Sequence, residues 1–217
     1  MYSFTEENYL KAIYKLSADE AATTNAIAEE LNTKAASVTD MLRKLSDKKL
    51  ITYVKYQGVS LTEMGRKVAV LTVRKHRLWE VFLHDKLEFK WDEVHDIAEQ
   101  LEHIHSDILI DKLDAFLNYP SVDPHGDPIP RKDGTIKDPK LKVLSDIPQG
   151  KSVIMSGVKE HSAVFLQYLE KTGLVLGTRL KVHDILVFDG SLQLNLGKEN
   201  RIQISKEVAK NILVAEA

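Results

Sequence analysis

The chain of 217 residues has no cysteine. That excludes disulfides, thiolate metal sites and cysteine nucleophiles, so any metal it holds must be bound through nitrogen and oxygen. No apolar run approaches the ~20 residues of a membrane-spanning helix. The opening MYSFTEEN lacks the basic-plus-apolar pattern of a signal peptide. The expectation is a cytoplasmic protein with no membrane partner. Proline is scarce, and all six are confined to residues 118–150, so regular structure is interrupted mainly there. There is no P-loop, no H-E-x-x-H and no G-x-S-x-G, which removes the commonest sequence signs of nucleotide, zinc-protease and serine-hydrolase chemistry. What remains is 43% hydrophobic and 29% charged, the balance of a folded globular chain.

The formal charge of −2 conceals an asymmetry. Residues 1–78 carry 13 Lys/Arg against 9 Asp/Glu, a net of +4, and 24–78 alone is +6 (11 against 5). Residues 79–130 carry 3 against 13, a net of −10, and residues 131–217 return to +4 (14 against 10). An acidic middle between basic ends implies anion contact by the first part and cation binding by the second.

The first 60 residues break into short helical patterns. Ser3-x-x-Glu6 reads as a capping box, and Tyr9, Ile13 and Leu16 follow at helical spacing. A second helix is expected from about Asn25 to Leu31. A third begins near Ala36 or Ser37, with Val38, Met41, Leu42 and Leu45 on one stripe. Ile51–Lys55 and Val59–Leu61 then read as a hairpin around Tyr56-Gln57-Gly58. Three small helices and a hairpin describe a winged helix-turn-helix, and a small helical domain with a solvated basic face is the bland alternative. Ala35, Ala36, Ser37 and Thr39 would let the third helix enter a major groove closely, while Arg43, Lys44, Lys48 and Lys49 supply charge for phosphates.

A long helix is expected from Thr62 to about Leu87, a second capped by Asp92, and a third ending at Phe116. Their apolar stripes suggest a dimerisation block. The expected division is a winged helix-turn-helix over 1–73, a helical metal-binding and dimerisation domain over 74–120, a Pro/Gly-rich linker or ordered loop over 121–150, and an SH3-like β-barrel over 151–217. The fold class is α+β. In the last domain Lys151–Val158, Arg179–Phe188 and Leu192–Leu196 alternate as strands, with a helix over Ser162–Thr172.

The densest chemistry lies in His95–His105, HDIAEQLEHIH. At about 100° per residue, His95, Glu99, Glu102 and His103 share one sector, whereas His105 falls at the edge of the apolar face and reads as a packing histidine. His76 and Glu80, at i and i+4 on the preceding helix, share a face of their own. Without cations these glutamates would repel one another. An acidic solvated face explains the carboxylates but not histidines at matching spacing, so metal binding is expected, with two divalent ions. Glu102-x-x-His105 formally matches the E-x-x-H of di-iron bundles, but no second such motif accompanies it, so an enzyme is not expected.

The run RKHRLWEVFL…VHDIAEQLEHIHSD, after IAEELNTKAASVTDMLRKLSDKKLI and LTEMGRK, resembles the diphtheria-toxin-repressor family of metal-dependent transcriptional repressors, in the long form with an SH3-like domain. The resemblance spans nearly the whole chain. It implies a primary metal site at Asn8, Glu99, Glu102 and His103, and a companion site at His76, Glu80 and His95. Further ligands are implied at Asp123 and His125 in the PHGDPIP loop and at Glu160 or His161 beyond it. Asn8 and Lys11 depart from the family pattern: Asn8 offers only a neutral oxygen, and Lys11 stands where some manganese sensors carry glutamate. Glu99 replaces a cysteine of the iron-sensing type member, which hardens the site toward Mn²⁺, with Fe²⁺ as the other candidate. The implied function is a homodimeric repressor of metal-homeostasis genes, with Mn²⁺ or Fe²⁺ as corepressor and a palindromic DNA operator as partner. Lys34, Ser37, Thr39, Arg43 and Lys44, with Tyr56 and Gln57 at the wing tip, are its expected DNA contacts. A metal-storage or metal-delivery protein, or a non-haem metalloenzyme using the same His/Glu cluster, is the alternative.

Overall fold

In the computed structural model the described residues are 2–17, 21–54, 58–137, 139–197 and 200–217. Helix α1 (Phe4–Leu16) starts where the sequence signals: Ser3 Oγ accepts from Glu6 N–H and the Glu6 carboxylate accepts from Ser3 N–H. Thr23 caps α2 (Thr24–Glu30), and α3 (Ala35–Asp47) buries Val38, Leu42 and Leu45. These stripes meet Leu10, Ile13 and Ile27 in one core, which removes the apolar faces from water. Strands β1 (Ile51–Val54) and β2 (Gly58–Leu61) pair antiparallel as the wing, and Ala22 bridges to Val59. Tyr56 and Gln57 lie outside the described residues.

Helix α4 (Glu63–Leu87) begins at Thr62, whose side chain accepts from Gly65 N–H, and ends at Glu88 in the left-handed region. It runs unbroken through the expected 73/74 boundary, because no proline or further glycine follows Gly65 before Leu87. Helix α5 (His95–Leu101) is shorter than the sequence pattern suggested. Asp92 does not cap it: Val94 holds that position, and Asp92 accepts from Gln167 Nε2 at 2.7 Å instead. The helix also stops before Glu102 and His103, which sit in a turn closed by Ile104 N–H on Leu101 O. Helix α6 (Asp107–Phe116) follows, capped by Ser106.

The proline-rich segment is laid on α4 as an ordered loop rather than a free linker. Arg74 donates to Pro130 O at 3.3 Å and to Asp114 at 2.9 Å, and Arg77 donates to Pro128 O and to Asp127. The last unit starts within residues assigned to that linker, at β3 (Lys142–Val143). It continues with β4 (Ser152–Val158), α7 (Ala163–Thr172), β5 (Arg179–Ile185), β6 (Leu192–Leu196), β7 (Asn200–Ile204), α8 (Lys206–Lys210) and β8 (Ile212–Glu216). The sheet is antiparallel in the order β3-β8-β4-β5-β6-β7. It is open, not the closed barrel expected: β3 is two residues long, pairs with β8, and leaves itself and β7 as edges. Leu166 and Leu169 of α7 pack with Met155, Val182 and Val214 in its core. Trp91, from the α4–α5 connection, is buried in that same core and so anchors the sheet unit beside the end of α4.

Candidate metal centre

Five stretches converge on one cavity of about 560 Å³: α1, the end of α2, the middle of α4, α5, and the loop around Asp123, with His161 from the sheet unit at its wall. Two ligand groups form there, each with donor atoms within 4.8 Å of one another: Glu80–Asp123–His125 and His76–His95–Glu99. Helix α4 supplies Glu80 and His76 because i and i+4 face the same way. The loop supplies Asp123 and His125 through a tight turn, in which the Asp123 carboxylate accepts from His125 N–H at 2.8 Å and Asp127 N–H at 3.0 Å. Gly126 (φ +90°) is required in that turn, since a Cβ there would stand 2.2 Å from Ser156 O.

In the first group the histidine is already oriented. His125 Nε2 lies 2.7 Å from Trp91 O, a carbonyl that can only accept, so the proton is on Nε2. Its Nδ1 then faces Glu80 Oε2 at 3.8 Å and Asp123 Oδ1 at 3.9 Å. These gaps are too long for hydrogen bonds but suit two ligands each roughly 2.1 Å from one ion. A backbone carbonyl on the remote ring nitrogen is the arrangement that presents the other nitrogen to metal. His161 closes the wall, its ring 4.9 Å from that of His125, and its Nε2 is buried without a hydrogen-bond partner among the described residues. This donor set fits a divalent ion of hard to borderline character.

The electrostatics agree. Burial, then the nearby Glu80 and Asp127 charges, push the Asp123 carboxyl up to about 7. Burial would also raise Glu80, but the imidazoles of His125, His76 and His95 around it, with His76 hydrogen-bonded at 3.0 Å, outweigh burial and hold that carboxyl well below the usual range. His76 lies 2.6 Å from Glu102 and 3.0 Å from Glu80. Burial alone would lower its pKa, but those two carboxylates push it up to about 9. The two rings His76 and His95 meet edge-on at 4.9 Å. This is a buried carboxylate cluster held together by cationic partners.

Asn8, Glu99, Glu102 and His103 are arranged differently. The Lys11 ammonium contacts the Glu99 carboxylate and lies 2.7 and 2.8 Å from the two oxygens of Glu102, which is fully buried. His103 turns its Nδ1 to Glu7, 2.7 Å away, and stacks on Phe4. Asn8 Oδ1 is buried with no partner among the described residues. A divalent ion does not fit between Glu99 and Glu102 with the ammonium there. His105 stands apart at 3.7 Å from Glu7. Glu160 is exposed and accepts from Ser162 N–H, so of the two residues named at that position only His161 reaches the cavity.

Glu7, Lys75 and Arg77 were not singled out in the sequence. Glu7 sits beside Lys75 (3.8 Å) as well as His103, and Arg77 braces Asp123 at 3.6 Å and Asp127 at 2.9 Å. A signal existed for Glu7: it lies three residues before Leu10 on the buried stripe of α1, where an isolated carboxylate needs a partner. In the first unit Lys34, Ser37, Arg43 and Lys44 are exposed along α3, Thr39 is half-buried, and Arg43 lies 3.5 Å from Asp40. Thr39 Oγ1 donates to Ala35 O.

Known proteins resemble this chain throughout. Residues 1–59 match the family described as iron dependent repressor, N-terminal DNA binding domain. Residues 62–131 match its metal binding and dimerisation domain, and 142–216 match the FeoA domain. The iron-dependent repressor IdeR of Mycobacterium leprae is 31% identical over 191 residues, covering 82% of this chain and 83% of that protein. The regulator MntR of Oceanobacillus iheyensis is 33% identical over 144 residues, covering 66% and 90% respectively. A manganese-dependent transcriptional repressor solved in complex with manganese superposes with a TM-score of 0.87 at 33% identity, covering 98% of this chain and 100% of that one. ScaR with bound Zn²⁺ follows at 0.79, also 33% identical, covering 98% and 99%.

Proposed function

The chain belongs to the iron-dependent repressor family, and on that premise we propose that it is a divalent-metal-dependent transcriptional repressor, with Mn²⁺ as the preferred corepressor and Fe²⁺ as the second. The observation that carries this reading is the Glu80–Asp123–His125 group, with His125 Nε2–H donating to Trp91 O and Nδ1 turned toward two carboxylates. A divalent ion bound there supplies the positive charge that lets Glu80 and Asp123 remain ionised side by side. Glu80 holds the α4 side, Asp123 and His125 hold the loop side, and Arg77 keeps Asp123 pointed inward. His161 and Trp91 exclude water from the sheet side.

Coupling to DNA follows from the elements involved. Glu63 to Glu80 spans 17 residues of one helix, roughly 25 Å at 1.5 Å per residue, and α4 starts directly against the end of α3. Thr62 N–H donates to Leu50 O at 3.0 Å and Thr62 Oγ1 to Lys49 O at 2.8 Å. Restraint of α4 at Glu80 thus restrains the orientation of α3, and metal favours DNA by its differential affinity for the oriented state. Lys34, Ser37, Arg43 and Lys44 face outward for phosphate and base contact, with Thr39 half-buried behind them.

Ile108, Leu109, Phe116 and Tyr119 are exposed apolar residues on and after α6, and support a homodimer through that face. A dimer matches a palindromic operator. No helix among the described residues is long and apolar enough to cross a membrane, and the reading is a cytoplasmic, non-enzymatic regulator. The test is an anisotropy titration with duplexes selected from a random pool in Mn²⁺. Affinity should fall steeply in EDTA; equal affinity with Mn²⁺ and with EDTA refutes the reading.

A further inference from the structure

Lys11 enters the carboxylate cluster from the first unit. It comes from α1, is mostly buried, and its ammonium lies between Glu99 at the end of α5 and the fully buried Glu102 just beyond it. Three donor protons can be shared among three carboxylate oxygens, and the Glu102 contact uses both oxygens. Of the neighbouring imidazoles, His76 Nδ1 shares Glu102 Oε2 with Lys11 at 2.6 Å, while His103 Nδ1 is turned away to Glu7. The position a divalent ion would take between the two carboxylates is therefore already occupied by an ammonium tethered to the protein, with the His76 hydrogen bond beside it on Glu102.

We propose that Lys11 is a built-in counter-ion that takes the place of a metal ion between Glu99 and Glu102, so that this chain binds one Mn²⁺ fewer than its carboxylates and imidazoles would allow. The joint between α1 and the α5 turn is then closed by an ion pair that needs no metal. The metal dependence of the protein is left to the ligands that Lys11 does not touch, foremost Glu80, Asp123 and His125. A tethered ammonium competes with dissolved Mn²⁺ at a high local concentration, and losing it would expose a buried carboxylate. This inference rests on the functional reading above only in requiring that the chain binds divalent metal at all.

The test is Mn²⁺ stoichiometry by equilibrium dialysis and metal analysis on the full chain, in wild type, Lys11→Met, Glu102→Gln and the double variant. Methionine keeps the length of the stem without the charge. The expected result is one more Mn²⁺ per chain in Lys11→Met than in wild type, and a return to the wild-type count in Lys11→Met/Glu102→Gln. Glu102→Gln alone should bind as many ions as wild type. The double variant carries neither charge, so it reports on the site even if Lys11→Met folds poorly. Equal counts for wild type and folded Lys11→Met overturn the proposal, as does loss of one ion in Glu102→Gln alone. A wild type that binds no Mn²⁺ overturns the functional reading itself.

Discussion

Gly65 offers a test in which two effects of opposite sign compete. Replacing glycine by alanine inside a helix ordinarily stabilises by about 1 kcal/mol, because less backbone entropy is lost. Gly65 has a helical backbone that alanine tolerates, so on local grounds Gly65→Ala should help. Tertiary packing reverses this. A Cβ at Gly65 would stand 1.9 Å from Leu50 O and 2.9 Å from Leu50 C, whereas real Cβ atoms keep beyond 3.0 Å. The start of α4 must therefore move by roughly 1 Å from the end of the α3–β1 connection, at the overpacking cost of about 1–3 kcal/mol. That movement strains the Thr62 bonds to Leu50 O and Lys49 O, each worth about 1 kcal/mol. The clash and the weakened bonds together outweigh the propensity gain, and net destabilisation of about 2–4 kcal/mol is expected. Urea unfolding of Gly65→Ala against wild type, in EDTA, reads this directly. Because Gly65 is remote from the ligands, Mn²⁺ binding should survive while the Mn²⁺-dependent gain in DNA affinity is reduced. A variant as stable as wild type or more so, with full metal-dependent DNA binding, refutes both the packing argument and the role of α4 as the coupling rod.

Asp123→Asn should weaken Mn²⁺ binding by at least ~10–100-fold, the loss seen even for outer-shell partners, as read by competition with a fluorescent chelator. In EDTA at pH 8 the same variant should be at least as stable as wild type, since it removes a buried carboxylate that Glu80 repels. His76 gives a pH signature in EDTA. Its folded pKa of about 9 lies above the ordinary 6.5, so its stabilising contribution is complete below pH 6.5 and lost as pH rises through 9. Urea midpoints should fall over that window by an amount equivalent to about 3 kcal/mol; a flat profile would remove His76 as the cationic bridge between Glu80 and Glu102. Lys44→Ala should weaken DNA binding for all sequences alike and lower the salt slope by about 0.9 if it contacts one phosphate; an unchanged slope places it off the backbone.

The local chemistry of this chain was readable in its order of residues. Ser3 and Glu6 cap α1, Val38, Leu42 and Leu45 stripe α3, and His76 and Glu80 share a face, because each depends only on neighbours within a turn. The hairpin and the long helix followed for the same reason, and the family resemblance extended that reading to the whole chain. Grouping the ligands was another matter. An extrapolated helical wheel placed His95, Glu99, Glu102 and His103 on one face, but α5 ends at Leu101 and the turn sends His103 to Glu7. No local signal sets that end; α6 restarts at Ser106 and the connection turns where packing requires it.

Contacts far apart in sequence decided the rest. Lys11 meets Glu102 across 91 residues, His125 Nε2–H donates to the Trp91 carbonyl across 34, and Gly65 is glycine because of Leu50 O. The sheet is open, with two-residue β3 on β8 at one edge and β7 at the other, which no strand-by-strand alternation could foretell. By itself the sequence determined which side chains the metal centre could draw on and which helices present them, since propensity and periodicity are local. Only the tertiary structure decided which carboxylate is answered by a lysine, which by a histidine, and which face the Nδ1 of His125. Those pairings are electrostatic, and electrostatics depends on distance in space and on burial rather than on position along the chain.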